Sequence, residues 1–212
     1  MTEFIIIRHG QTILNKKRVL QGHMHGELDK TGIKQAQAVA KELSKRNFSM
    51  IYSSDLKRAV STAEYIQTAC NIELKTMPQL RERNLGIFEG LTLHEIKIKY
   101  PTEYKHYTSL NPNPDFIIPG GESINQMLTR LIDCLSSIAA NHINEKIIIV
   151  THSGPLDVLF RWVLNIPLDS PRKFKLFNTT INSFIIDNNN WVLKEWGKAD
   201  HLSNIEAIDI NV

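Results

Sequence analysis

Cysteine is nearly absent: Cys70 and Cys134 are the only two in 212 residues, and both fall in amphipathic helical stretches. That excludes a disulfide framework and leaves reduced core thiols as the reading. Long apolar runs are missing as well. The stretch Phe4 to Ile7 near the amino terminus is far too short for a signal peptide or a membrane span. No membrane association is expected, and a cytoplasmic enzyme is. Neither sign of charge dominates, since 25 Lys and Arg stand against 22 Asp and Glu for a net +3. Such a balance provides no global basic field for nucleic acid. The chain also lacks internal repeats, low-complexity tracts and linkers, so residues 1–212 read as a single domain.

What is present is ordinary for a globular protein, with 42% apolar and 22% charged residues. Two short runs stand out. Ile5-Ile6-Ile7 breaks abruptly into Arg8-His9-Gly10, and Ile147-Ile148-Ile149-Val150 breaks into Thr151-His152-Ser153-Gly154. Wholly apolar, β-branched runs fit buried central strands that deliver polar groups at their carboxyl ends. Ligand sites in open α/β sheets lie beyond those ends. Parallel neighbouring strands would bring His9 and His152 together. Gly10 would take positive φ or let the backbone approach a ligand closely.

The remaining pattern alternates strands and helices. Asp29 or Thr31 caps a helix to about Arg46, Met50 to Tyr52 forms a strand, and a helix to about Ala69 follows, its positive end complemented by Asp55. Leu74 to Met77 is a further strand. From Leu91 to Leu110 the pattern is helical but interrupted by Pro101, and residues 111–121 form a loop. A long helix from Ser123 to His142, the second apolar strand and a helix to about Leu164 come next. Residues 181–186 and 191–196 flank Asp187-Asn188-Asn189-Asn190, a hairpin signal. The fold class expected is α/β: a mostly parallel central sheet flanked by helices on both faces, a hairpin at one edge, and a small helical cap insertion at about 91–121.

Five ordered motifs carry a resemblance. They are Arg8-His9-Gly10 with Asn15; Ser54-Asp55-Leu56-Lys57-Arg58-Ala59 with Thr62-Ala63; Leu80-Arg81-Glu82 with Gly86 and Glu89-Gly90; Pro119-Gly120-Gly121-Glu122-Ser123; and Val150-Thr151-His152-Ser153-Gly154. In this set the sequence resembles the histidine phosphatase superfamily, the phosphoglycerate-mutase-like enzymes, in its small-phosphatase branch. The resemblance implies that Arg8, His9, Arg58 and His152 share one phosphate pocket with His9 as nucleophile. It implies that Glu82 protonates the leaving group, with Glu89 a lesser candidate. It also implies that Asn15 and the Gln21-Gly22 backbone add phosphate or substrate contacts.

The chemistry of the residues agrees with those roles. A histidine attacks phosphorus through a neutral ring nitrogen, and neighbouring cations keep it neutral while also binding the phosphoryl dianion. Arginine's planar fork suits phosphate oxygens. Ser153 and Gly154 open a helix whose free N–H groups suit an anion. Glu122 supports only a helix-start role.

Two stretches depart from the family pattern. His25-Gly26-Glu27-Leu28-Asp29 stands where relatives commonly carry Asp-x-Pro-Leu-Thr, and Ala199-Asp200-His201-Leu202 is a shortened form of their tail, with His201 a candidate substrate contact. The expectation is a metal-independent phosphomonoesterase acting on small phosphorylated metabolites, with no cofactor and no metal. His23 and His25 lack the partners of a metal site. A phosphoglycerate mutase and an inactive phospho-ligand-binding member are the alternatives, and the chain is a monomer or a homodimer.

Overall fold

A computed structural model describes residues 1–188, 190–203 and 205. The strands are β1 (Thr2–Arg8), β2 (Met50–Ser53), β3 (Leu74–Thr76), β4 (Lys146–Thr151), β5 (Ile181–Asp187) and β6 (Asn190–Lys198). They form one sheet in the order β3-β2-β4-β1-β5-β6. The first four strands are parallel to one another, and the β5–β6 hairpin adds on antiparallel beside β1. The expected α/β architecture and edge hairpin are both present, Asn189 of the hairpin turn lying outside the described residues.

The apolar runs at the centre of the sheet follow from burial on both faces. Successive side chains of a strand point to opposite sides. Phe4, Ile6, Ile147 and Ile149 therefore join one core, and Ile5, Ile7, Ile148 and Val150 the other. The helices are α1 (Ile13–Lys16), α2 (Lys30–Leu43), α3 (Lys57–Cys70), α4 (Leu93–Lys99), α5 (Pro101–Tyr107), α6 (Ile124–Asn141) and α7 (Ser153–Val163). Helices α6 and α7 cover the first core and α2 and α3 the second.

Local chemistry sets most helix starts. Asp29, rather than Thr31, caps α2 by accepting the Gly32 N–H at 2.8 Å. Ser123 and Gln126 form a capping box on α6, as Thr92 and Glu95 do on α4. Asp55 does not serve α3, whose N-cap is Leu56 with no side-chain bond; its carboxylate is taken by Arg81 in a two-pronged ion pair. Pro101 divides the helical stretch after residue 91 into α4 and α5, which with Phe88, Ile96 and Ile118 make a small separate core over the carboxyl end of the sheet. Cys70 and Cys134 are free thiols.

Gly10 corrects an expectation. Its φ is not positive, and the backbone it approaches is that of Gly32 on α2, where a Cβ would lie 2.6 Å from the Gly32 carbonyl oxygen. A Cβ on Gly32 would meet the Gln11 carbonyl oxygen at 2.0 Å. Two bare backbones thus press α2 onto the turn that leaves β1. In an exposed helix interior Gly→Ala ordinarily stabilises by about 1 kcal/mol. At Gly32 the sign should reverse, with a loss of about 1–3 kcal/mol in urea unfolding; an unchanged or raised midpoint would contradict this close packing.

Candidate active site

The parallel ladder of β1 and β4 aligns Arg8 with Thr151. The next residue of each strand is therefore a histidine at the same level, and the rings of His9 and His152 stand 5.1 Å apart. Arg58 arrives from the first turn of α3, which follows β2, the other neighbour of β4. All four side chains are buried: Arg8 and His9 are 2% and 3% exposed, Arg58 and His152 1% and 0%.

The tautomer of His9 follows from its neighbour. Nδ1 lies 2.7 Å from the Gly10 carbonyl oxygen. A carbonyl can only accept, so Nδ1 carries the proton and Nε2 presents a lone pair. The Arg58 Nε–H points at that lone pair from 3.3 Å. Burial, then the charges of Arg58 and Arg8, hold the His9 pKa well below the ordinary imidazole range. Burial likewise depresses His152, with Arg58 and His9 adding to it.

Each guanidinium is locked by backbone oxygens. Arg58 donates to the carbonyls of Gly22 and Met24 at 2.7 and 2.8 Å, and burial brings its pKa down to about 10, which leaves it charged at neutrality. Arg8 donates to the Leu176 carbonyl. His152 Nε2 lies 2.8 Å from the Ser54 hydroxyl, and its Nδ1 has no hydrogen-bond partner among the described residues.

Glu82 sits on an irregular loop, and its carboxylate accepts from the N–H groups of Arg83 (2.9 Å) and Gly154 (3.0 Å) and from the Ser153 hydroxyl (3.1 Å). The expectation of free N–H groups at the start of α7 needs correcting at Gly154: the anion there is the protein's own glutamate. A Cβ at position 154 would lie 2.1 Å from Glu82 Oε1, so glycine permits the approach. Arg81 and Arg83 turn away, Arg81 to Asp55 and Arg83 to the carbonyls of Phe116 and Glu122.

Arg8, His9, Arg58, Glu82, Ser153 and Gly154 line one cavity of about 300 Å³ together with Asn15, Gln21 and Gly22; His152 is not among the lining residues and stands against His9, which is. Asn15 is also the box partner of Thr12 in capping α1. Glu89 is absent from the lining and serves the loops, accepting the N–H groups of His23 and Leu85. His201 is likewise off the cavity, its ring bonded to the Thr179 carbonyl oxygen. His23 and His25 separate, His23 bonding the Glu82 carbonyl oxygen while His25 is exposed.

Several contributors escaped the sequence reading. The segment before β5 grips the strand end that carries His9: Asn178 donates to the His9 carbonyl at 2.7 Å, and the Thr179 N–H donates to that of Arg8. Thr179 does so at φ +56, a costly conformation for a β-branched residue. Its only trace in the sequence is a polar Asn-Thr-Thr preceding an apolar strand. Arg161 of α7, Arg172 beyond that helix and Tyr107 of α5 also line the cavity.

Residues 4–199 match the histidine phosphatase superfamily (branch 1), and the chain belongs to that family. Among curated relatives, it is 39% identical to phosphoglycerate mutase-like protein 4 of Arabidopsis thaliana, over 94% of this chain and 86% of that one. It is 36% identical to a metal-independent phosphoserine phosphatase of the same plant, over 97% of this chain and 85% of that one. Among solved structures, a phosphoserine phosphatase of Entamoeba histolytica with phosphoserine bound superposes with a TM-score of 0.84 at 31% identity, covering 95% of this chain and 100% of that one. No helix among the described residues is long and apolar enough to cross a membrane.

The depressed histidine pKa values have a consequence for stability. Below about pH 6.5 the unfolded chain binds protons that buried His9 and His152 do not, so stability falls with falling pH by up to about 1.4 kcal/mol per pH unit per histidine. His152→Gln should make that decline shallower by one histidine's share, read from urea midpoints on either side of about pH 6. An unchanged slope would mean that His152 takes up its proton while folded.

Proposed function

We propose that this protein hydrolyses small phosphate monoesters without a metal, through a phosphohistidine on His9. The observation that carries the reading is the buried, unprotonated Nε2 of His9 held against Arg58 at the floor of the cavity. In this reading the phosphoryl dianion enters among Arg8, Arg58 and His152, whose Nδ1 is the ring nitrogen left to meet an oxygen of the ligand. Its charge answers that of the two guanidinium groups, which burial leaves poorly solvated. Asn15 and the Gln21-Gly22 turn complete the phosphate and substrate contacts, while Ser153 and Gly154 hold Glu82 beside them.

His9 Nε2 attacks phosphorus in line as the ester oxygen departs, and Glu82 delivers the proton that oxygen requires. Water then attacks the phosphohistidine, with Glu82 taking its proton back as general base. Residues 1–212 act as a single domain in the cytoplasm, of which 206–212 lie outside the described residues. Segment 91–121 forms a cap whose Tyr107 and Phe116 face the substrate. The names of the relatives make O-phosphoserine the first ester to assay.

A mutase would start from the same phosphohistidine but must shield it while a bisphosphorylated species reorients. The cap here holds two seven-residue helices, modest cover for that purpose. Phosphate release is therefore expected to exceed interconversion of 3- and 2-phosphoglycerate in the presence of catalytic 2,3-bisphosphoglycerate. Isomerisation far outpacing release from every ester tried would reverse the assignment.

Two substitutions test the chemistry. Rapid acid-free quenching with labelled substrate in the presence of a chelator should trap an acid-labile, base-stable adduct that His9→Ala lacks, and an active His9→Ala enzyme would sink the scheme. Glu82→Gln should slow alkyl phosphates by about 10²–10⁴ and aryl phosphates, whose leaving groups need little protonation, much less.

A further inference from the structure

Glu82 is required to present its carboxyl group at one point, yet the chain from Arg81 to Leu85 belongs to no helix or strand. Its position is set by side chains reaching in from elsewhere. Arg130, on the second turn of α6, donates to the Glu82 carbonyl at 2.9 Å and to that of Gln79 at 2.6 Å. The same guanidinium forks onto Glu122, Nε to Oε2 at 2.9 Å and a terminal nitrogen to Oε1 at 2.6 Å. Glu122 grips the far side of the loop: its Oε1 accepts the Asn84 N–H at 2.8 Å and its own N–H donates to the Asn84 carbonyl at 3.0 Å. Neither charge is well exposed, the side chains being 22% and 16% accessible.

We infer that the Arg130–Glu122 pair is a positioning device for the proton donor, fixing the Glu82 backbone from α6 so that its carboxyl group faces the leaving oxygen. The proposal rests on Glu82 being that donor. A partly buried ion pair contributes little net stability compared with apolar packing of the same volume, so what this one supplies is direction. It clamps the peptide on both sides of a residue whose carboxylate is separately held by α7. Glu82 is thereby stretched between two helices that meet in the first core. Arg130 hydrogen-bonds Glu122, Gln79 and Glu82 and reaches the pocket only through its charge at His152, so its loss should largely spare phosphate binding and in-line attack and impair chiefly protonation.

The test compares Arg130→Gln, Arg130→Lys, Glu122→Gln and Glu82→Gln on an alkyl phosphate and on p-nitrophenyl phosphate, with thermal midpoints recorded for all four. Displacing a catalytic group by about 1 Å costs up to about 10²-fold, so Arg130→Gln should lower kcat on the alkyl ester by about 10–100-fold. KM and the aryl rate should stay near those of the parent enzyme. Arg130→Lys, which keeps the charge and loses the fork, should fall between. Glu122→Gln keeps the shape and the Asn84 contact, and should reproduce the same selective loss even if Arg130→Gln folds poorly. The double variant Glu82→Gln/Arg130→Gln should be no slower on the alkyl ester than Glu82→Gln, because both changes remove one function.

Equal losses on the two esters, or a rise in KM alone, for Arg130→Gln and Glu122→Gln would overturn the positioning role while Glu82→Gln remains leaving-group selective. Glu82→Gln losing equally on both esters would instead remove Glu82 from the donor role, and the proposal with it.

Discussion

The hydrogen-bonded ladder between β1 and β4 pairs Arg8 with Thr151 and so sets the two histidines that follow at one level of the sheet. A slip of one residue would send each of these side chains to the opposite face. Because every residue from Phe4 to Ile7 and from Ile147 to Val150 belongs to one core or the other, such a slip would exchange the side chains of the two cores. β2 on the other side of β4 then fixes where α3 starts, and with it Arg58. Gly10 and Gly32 lock the turn leaving β1 against α2, while Asn178 and Thr179 hold the same strand end from the direction of β5.

The electrostatics follow from that placement. Two imidazoles are enclosed with two guanidinium groups, and burial works against a proton on His9, His152 and Arg58. The imidazoles yield and stay neutral. The guanidinium groups, with far higher intrinsic pKa, remain charged and are solvated by main-chain oxygens of Gly22, Met24 and Leu176 in place of water. Carbonyl oxygens solvate without cancelling charge. The result is a pocket that favours an anion and at the same time leaves His9 Nε2 without a proton. Glu82, a carboxyl group of the cavity wall, is tied to the start of α7 and held from α6.

The fold was largely legible because its signals are local and strong. Apolar β-branched runs, Pro101 within a helical stretch, Ser123 before a long amphipathic helix and an Asn-rich turn each act over a few residues. The convergence of Arg58 and Glu82 on the cavity was legible through motif resemblance where periodicity alone could not reach it. What stayed hidden depends on contacts between distant segments. Nothing local to Gly154 announces that its N–H will hold Glu82, or that Asp55 will pair with Arg81 in place of complementing α3. Glu122 read as a helix-start residue because its partner Arg130 lies two turns further on, and the value of that pair lies in a third segment. Gly10 does not take positive φ, and the neighbour that demands a glycine there, Gly32, is a backbone brought in by tertiary packing.

The account depends most on a neutral His9 with its proton on Nδ1 and a bare Nε2 beside charged Arg58. Long-range ¹H–¹⁵N correlation spectra of protein labelled at histidine, recorded at neutral pH and assigned with His9→Ala, read both the protonation state and the tautomer. The result predicted is one protonated nitrogen, Nδ1, and an Nε2 shift of the unprotonated kind that persists as the pH is lowered past the ordinary imidazole pKa. An imidazolium at neutral pH, or a proton on Nε2, would contradict the account.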